Sequence, residues 1–295
     1  MKKTVFIPLT FVLAIGLTSC DFVNIPDQPG SEIDTTSSTV VRKVLVEDYT
    51  GHKCTACPAA AIVANSLTAT NGENVVVIGV HAGFFASPTT SGTQYLEDFR
   101  TSAGTTYDTY FGISNIGNPN GMINRKYYTS STTAHVLAYG TWATEVAVEL
   151  AKPALAKLEI VNSYNTSTQM LTCNVNSTFL YDTLTGGPYK LIVMATQDSI
   201  AADQLDAGLY VPGYIHRHVL RANLNGVWGE DLTTGAIIAN LAINKSYSYT
   251  FPATYPSSGG TSATSFVASR CHIVAFIYND VTKEVIQVEE VKLIP

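Results

Sequence analysis

The stretch VRKVLVEDYTGHKCTACPAAA, Val41 to Ala61, sets an apolar run (Val44, Leu45, Val46) before a Thr50-Gly51 break, with Cys54-Thr55-Ala56-Cys57 close behind. The run predicts a buried strand and the break predicts its end. Pro58 stands where a first helical turn tolerates a missing N–H, and Ile62, Val63 and Leu67 follow at helical spacing, so a helix is expected from Ala59. Val75 to Val80 is a second apolar run. Strand, cysteine pair, helix, strand is the order in which a C-x-x-C serves redox chemistry.

That order suits thiol–disulfide exchange for physical reasons. Cys54 is expected at the helix N-terminus, where unpaired N–H groups and the positive end of the helix dipole favour a thiolate; Cys57, one turn on, closes the disulfide. Lys53, and His52 when protonated, would push the thiol pKa the same way. The arrangement resembles thioredoxins. The resemblance makes Cys54 the nucleophile, Cys57 the resolving thiol, and Asp48, six residues before Cys54, the buried acid that accepts or relays the resolving proton. A strand-end aspartate in water is the alternative for Asp48. Further on, Phe111-Gly112-Ile113 precedes Pro119 much as an aromatic-Gly-Ile segment precedes the cis-proline of thioredoxins, so Pro119 is expected to be cis and to face the cysteines. Lys53 replaces the usual tryptophan and Thr55-Ala56 the usual Gly-Pro, which alters the docking surface and the redox poise.

The chain has 295 residues, 46% of them hydrophobic, enough to bury a sizeable core. Its formal net charge is −6, and it has no basic cluster of the kind that nucleic acid requires. Lys2-Lys3, an apolar stretch from Val5 to Leu17 and Leu17-Thr18-Ser19-Cys20 read as a leader. Leu-Thr-Ser-Cys resembles a bacterial lipobox, which implies a signal peptide over 1–19, lipid attachment at Cys20 and a membrane anchor that does not span the bilayer. Residues 20–40, rich in Ser, Thr, Asp, Pro and Gly, read as a flexible tether.

An α/β domain is expected over 41–153. Gln94 to Arg100 and Thr132 to Lys152 are read as helices, Gly121 to Tyr128 as a strand, and Lys152-Pro153 as the boundary. From Ala156 the period changes to two. Seven short strands with turn signals between them predict an all-β immunoglobulin-like sandwich over 154–295. Cys173 and Cys271 lie on separate strands, each on an alternating apolar face; a buried disulfide and two buried thiols both fit. His216 and His218 are expected on one face of a strand from Ile215 to Ala222, but no third metal ligand is fixed by spacing. A zinc at Cys54 and Cys57 would draw on His52 and His81, yet no second C-x-x-C exists, and Pro58 occupies the place of a haem-attaching histidine. No cofactor or metal is expected.

Taken together, the lipobox, Val44 to Ala61, Phe111 to Arg125, His216 to Arg221 and Val285 to Leu293 resemble the twenty-eight-kilodalton outer-membrane protein family of Bacteroidota. That resemblance implies a lipoprotein of the cell outer membrane pairing a thioredoxin-like domain with a β-sandwich. Two functions compete. One is a membrane-tethered thiol-disulfide oxidoreductase acting on protein thiols, with Cys54, Cys57, Asp48 and Pro119 at its site. The other is a non-catalytic surface binding or accessory lipoprotein with a protein or glycan partner.

Overall fold

The computed structural model describes residues 40–129, 134–182, 184, 187–233, 237–255 and 262–294. The expected signal peptide, Cys20 and the tether to Thr39 lie outside the described residues. In chain order the elements are β1 (Val44–Thr50), α1 (Cys57–Asn71), β2 (Val75–His81), α2 (Ser102–Phe111), α3 (Ile113–Ile116), β3 (Asn120–Ile123) and α4 (Trp142–Leu150). Next come β4 (Ala156–Asn165), β5 (Met170–Phe179), β6 (Tyr189–Gln197), β7 (Ile200–Asp206), β8 (Leu209–His216), β9 (Val219–Asn223) and β10 (Glu230–Asp231). The chain closes with β11 (Ala242–Thr250), β12 (Thr254–Tyr255), β13 (Thr264–Ser265), β14 (Cys271–Asn279) and β15 (Val285–Lys292).

β1 is buried along nearly its whole length, and its alternation sorts two cores. Leu45 and Tyr49 enter one, Val44 and Val46 the other. β2 pairs with β1 in parallel and β3 pairs with it antiparallel. Pro58 lies in the first turn of α1, and the helix ends at Gly72, whose φ of 57° suits a residue without Cβ. The buried face of α1 is Cys57, Ala60, Ala64 and Leu67, rotated from the expected one, and Ile62 is 66% exposed. Small alanines let the helix lie close to the sheet.

The principal sheet runs β15-β14-β6-β9-β2-β1-β3, with β10 paired to β6. One of its faces packs on α2 residues Ala103 and Tyr107 through Ile78, Met194, Phe276 and their neighbours. The opposite face is shared between two layers. Val44, Val46 and Val77 meet α1 and α4, whereas Leu191, Val193, Ile273 and Ala275 meet the antiparallel sheet β11-β5-β4.

The boundary expected at Lys152-Pro153 therefore does not separate two bodies. From Val40 onward the chain is one compact unit, joined at β9, which pairs with β2 in parallel and with β6 antiparallel. Gly79 makes the joint possible: its N–H donates to His218 O at 2.8 Å, and a Cβ there would stand 3.0 Å from Arg217 O.

Other expectations are corrected as well. The strand read from Ile215 to Ala222 is split: β8 ends at His216, the chain turns through His218 at φ 52°, and β9 begins at Val219. His216 and His218 thus belong to different strand ends. The long helix is only α4, preceded by a 3-10 turn at Tyr139–Thr141; Gln94 to Arg100 is not helical, and the helix there is α2. Cys173 and Cys271 are free and buried in the β-rich core. Burial pushes their thiols up to about 11 and about 12, which leaves them protonated and inert at neutral pH.

Candidate functional site

Cys54 and Cys57 are disulfide-bonded, with Cα atoms 5.4 Å apart. The loop from Gly51 carries them from the end of β1 to the start of α1. Cys54 N–H donates to Gly51 O at 3.0 Å, and Cys57 is the first helical residue, so Cys54 lies in the turn just before the helix. Lys53 N–H donates to Phe85 O at 3.0 Å, and its Nζ sits 5.5 Å from the Phe84 ring centre. Gly51 lacks a Cβ where one would collide with the Phe85 carbonyl carbon at 2.4 Å.

His52 does not supply the charge expected of it. It is 1% exposed, burial lowers its pKa to about 4, and its Nε2–H donates to Ser87 O at 3.3 Å. It is neutral at physiological pH.

Both cysteines are covered, at 2% and 1% exposure. The cover is the β7–β8 hairpin, a two-stranded sheet of its own. Leu205 N–H donates to His52 O (2.7 Å), Ala207 N–H to Thr55 O (2.9 Å) and Gly208 N–H to Thr55 Oγ1 (2.6 Å). Gln204, 2% exposed, reaches from β7 with Nε2 to Cys54 O (3.1 Å) and Gly51 O (3.3 Å). Its neck is tied where His218 N–H donates to Asp198 Oδ1 at 2.7 Å. Asp203 caps the outer side, accepting from Tyr95 N–H and from Tyr210 Oη–H.

Beside Cys57 lies a cavity of about 40 Å³ whose lining includes Asp48, Thr50, Cys57, His81, Gln204 and His216. Asp48 is buried, its Oδ1 has no hydrogen-bond partner, and burial raises its pKa to about 7. His81 is held well below the usual imidazole range by burial first, then by His216, His52 and Arg221. The rings of His81 and His216 are 5.5 Å apart, and each lies 4.9 Å from Phe99. Among the described residues no three His, Cys, Asp or Glu are arranged to hold a metal, and His52 and His81 do not join the cysteines in one.

The Asn118–Pro119 bond is cis, and the next residue, Asn120, pairs with Tyr49 of β1. Of the residues singled out in the sequence, Asp48, Cys54 and Cys57 thus converge on one site, and His81, expected only as a candidate zinc ligand, lines the same cavity. Gln204 and Tyr214, which also line it, were not anticipated. An available signal for His81 was its place at the end of an apolar run beside the acid-bearing strand.

Residues 104–295 match the family described as outer membrane protein Omp28. No curated protein matches the chain. Among solved structures, HBP35 of Porphyromonas gingivalis is similar in fold, at 17% identity and a TM-score of 0.63, over 86% of this chain and 76% of that one. A domain of the outer membrane lipoprotein Omp28 from the same organism is 28% identical, with a TM-score of 0.31, over 48% of this chain and 88% of that one. With well over half of its length matched, the chain belongs to the Omp28 family of outer-membrane proteins.

Proposed function

We propose that this protein is a lipid-anchored, thioredoxin-like lipoprotein of the outer membrane whose Cys54–Cys57 pair exchanges disulfides with protein thiols, beneath a hairpin that covers it at rest. The observation that carries this reading is the unpaired, buried Asp48 carboxyl lining the same cavity as Cys57. An orphaned carboxyl in an apolar interior is destabilising, and a merely structural disulfide has no use for it. The bond also closes a loop of only four residues, which in the chain-entropy treatment is worth about 2 kcal/mol, little for a staple.

The element order supports the thioredoxin-like character: β1, cysteine loop, α1, β2, then Pro119 leading into β3 and α4 beyond. Among the later strands, a pair of antiparallel layers face each other as in an immunoglobulin-like sandwich, one of them continuous with the principal sheet. Cys20, outside the described residues, would carry the lipid.

In the oxidising direction a substrate thiolate attacks Cys54 Sγ, the Cys54–Cys57 bond breaks, and Cys57 leaves as a thiolate that takes a proton from the Asp48 carboxyl. A second substrate thiolate then attacks the substrate sulfur of the mixed disulfide and releases Cys54 as a thiolate. The substrate dithiol becomes a disulfide and the cysteine pair becomes a dithiol, with two electrons transferred. Pro119 would shape the groove that receives the substrate. A group titrating near 7 is suited to give and take this proton at physiological pH.

A second reading has its own observation. Exposures of 2% and 1% at the two cysteines fit an accessory or binding lipoprotein with an inert bond. Full-length protein in detergent, incubated with dithiothreitol and glutathione buffers and then alkylated, separates the two. Exchange in the native state, lost in Cys54→Ser, supports the redox reading; a pair reducible only after unfolding establishes the structural one.

A further inference from the structure

In the parallel pair of β1 and β2, Asp48 stands opposite Gly79 and Thr50 opposite His81. Side chains two apart on a strand share a face, so Asp48, Thr50 and His81 all project toward the side that carries α1 and Cys57. Gly79, lacking a Cβ, lets the 217–218 backbone approach the sheet between them, with Arg217 O 3.0 Å from where a Cβ would stand. Three atoms left there are buried without a protein partner: Asp48 Oδ1, His81 Nδ1 and His81 Nε2. The cavity that they line has about 40 Å³, and a water needs only about 10–15 Å³ of such volume together with two to four polar partners. Polar groups buried this deeply are almost always satisfied.

We propose that this cavity binds one or two water molecules joining the Asp48 carboxyl to the His81 imidazole, and that His81 is a positioning residue for proton handling at Cys57. The role at Cys57 rests on the exchange reading above; the linkage itself does not. A neutral imidazole offers one donor and one acceptor. When Asp48 is ionised, the water donates to the carboxylate and accepts from the imidazole N–H. When Asp48 is protonated, its O–H donates to the water and the water donates to a bare ring nitrogen, reached either through a second water at the other nitrogen or by the ring adopting its other tautomer. Both protonation states are thus satisfied without moving heavy atoms. The hydrogen bond to the charged form is the stronger, so the network favours ionised Asp48.

The other groups around Asp48 are Cys57 from α1, Tyr214 and His216 from β8, and Arg217 and His218 from the turn that follows. Burial first, and then His216, His52 and Arg221, keep His81 uncharged, so that it serves as a neutral relay.

The test uses the oxidised full-length chain and follows the protonated carboxyl stretch of Asp48 by infrared spectroscopy across pH, assigned by its absence in Asp48→Asn. In His81→Leu or His81→Phe, the latter keeping an aromatic ring against Phe99, the midpoint should rise by about one pH unit, a tenfold change in proton affinity. His81→Gln keeps a donor and an acceptor and should return the midpoint most of the way. A folded apolar variant titrating like the unmodified chain overturns the linkage, as does a Gln variant shifted as far as Phe. Because the readout needs no turnover, failure of thiol exchange and failure of the linkage appear in different experiments.

Discussion

Glu47 and Asp48 are neighbours in sequence and project from opposite faces of β1. Glu47 meets Arg125 through a two-pronged contact, with Nε and Nη2 each 2.7 Å from a carboxylate oxygen and both side chains essentially inaccessible. The guanidinium lies 4.4 Å from the Tyr107 ring centre and 5.1 Å from that of Phe276. Removing one partner strands a buried charge, so Arg125→Ala or Glu47→Ala should cost about 3–5 kcal/mol in urea unfolding, and replacing both with apolar residues of similar volume should cost less. A double variant as damaged as the singles would contradict the desolvation account. Asp48, on the other face, has no such partner. Its folded pKa is about 7 against 3.8 for an ordinary aspartate, so the folded chain holds the extra proton between those values. Stability therefore falls as pH rises from about 4 through about 7, by an amount on the order of 4 kcal/mol. Asp48→Asn escapes this loss: its advantage should be smallest near pH 4 and approach that magnitude by about pH 8. A difference between the two that stays flat with pH would show that Asp48 does not titrate in this range.

At the scale of the element, the β7–β8 hairpin decides what reaches the disulfide, and its hold depends on neutral histidines. His216 on β8 has its pKa lowered to about 4 by burial, as does His52, whose carbonyl receives Leu205 N–H. Both folded values lie below the ordinary 6.5, so their contribution is complete above that pH and is lost as pH falls from 6.5 through 4. Each is worth about 3 kcal/mol. Reduction of Cys54–Cys57 by a water-soluble phosphine, which needs no thiolate, should accordingly be at least about tenfold faster at pH 5 than at pH 7.5, since each histidine has lost about 2 kcal/mol of its contribution by pH 5, more than the roughly 1.4 kcal/mol of a tenfold change. Gln204→Ala, which deletes the side-chain bonds to Cys54 O and Gly51 O, should raise the rate at pH 7.5. Rates indifferent to both changes would mean that the hairpin is no barrier. Little of this element was legible in advance. The cysteine loop could be read because an apolar run, a break and a helix start each leave a local mark. β8 is exposed over most of its length and contains Pro212 and Gly213; β7 does alternate in burial, but its buried positions are Ile200, Ala202 and the polar Gln204, so neither strand shows an apolar rhythm in sequence. Their stability comes from hydrogen bonds to a loop about 150 residues earlier, which no local pattern encodes.

For the whole molecule, the change of period at Ala156 correctly marks where helices give way to strands but does not mark where one body ends. A periodicity records which face of an element is buried and is silent on what covers it. Here Leu45, Tyr49 and Ile78 share a core with Ile192, Met194, Phe276 and Val288. Further ties cross the same line: Arg42 donates to Ile286 O at 3.1 Å and Val285 N–H to Asn124 O at 2.7 Å. Neither half can lose the other without exposing a large apolar face, which favours aggregation. Unfolding should then be a single cooperative event. The chain's two tryptophans report on it separately, Trp142 in the layer of α1 and α4 and Trp228 against the shared core. In a denaturant titration of the full chain, Trp142→Phe and Trp228→Phe variants followed by fluorescence should each show one midpoint, coincident with that from far-ultraviolet circular dichroism of the same variant. A fragment of residues 154–295 should be unfolded or insoluble alone. Separate midpoints for the two reporters, or a soluble fragment with a sharp transition of its own, would restore the two-domain reading and remove β9 as the structural joint.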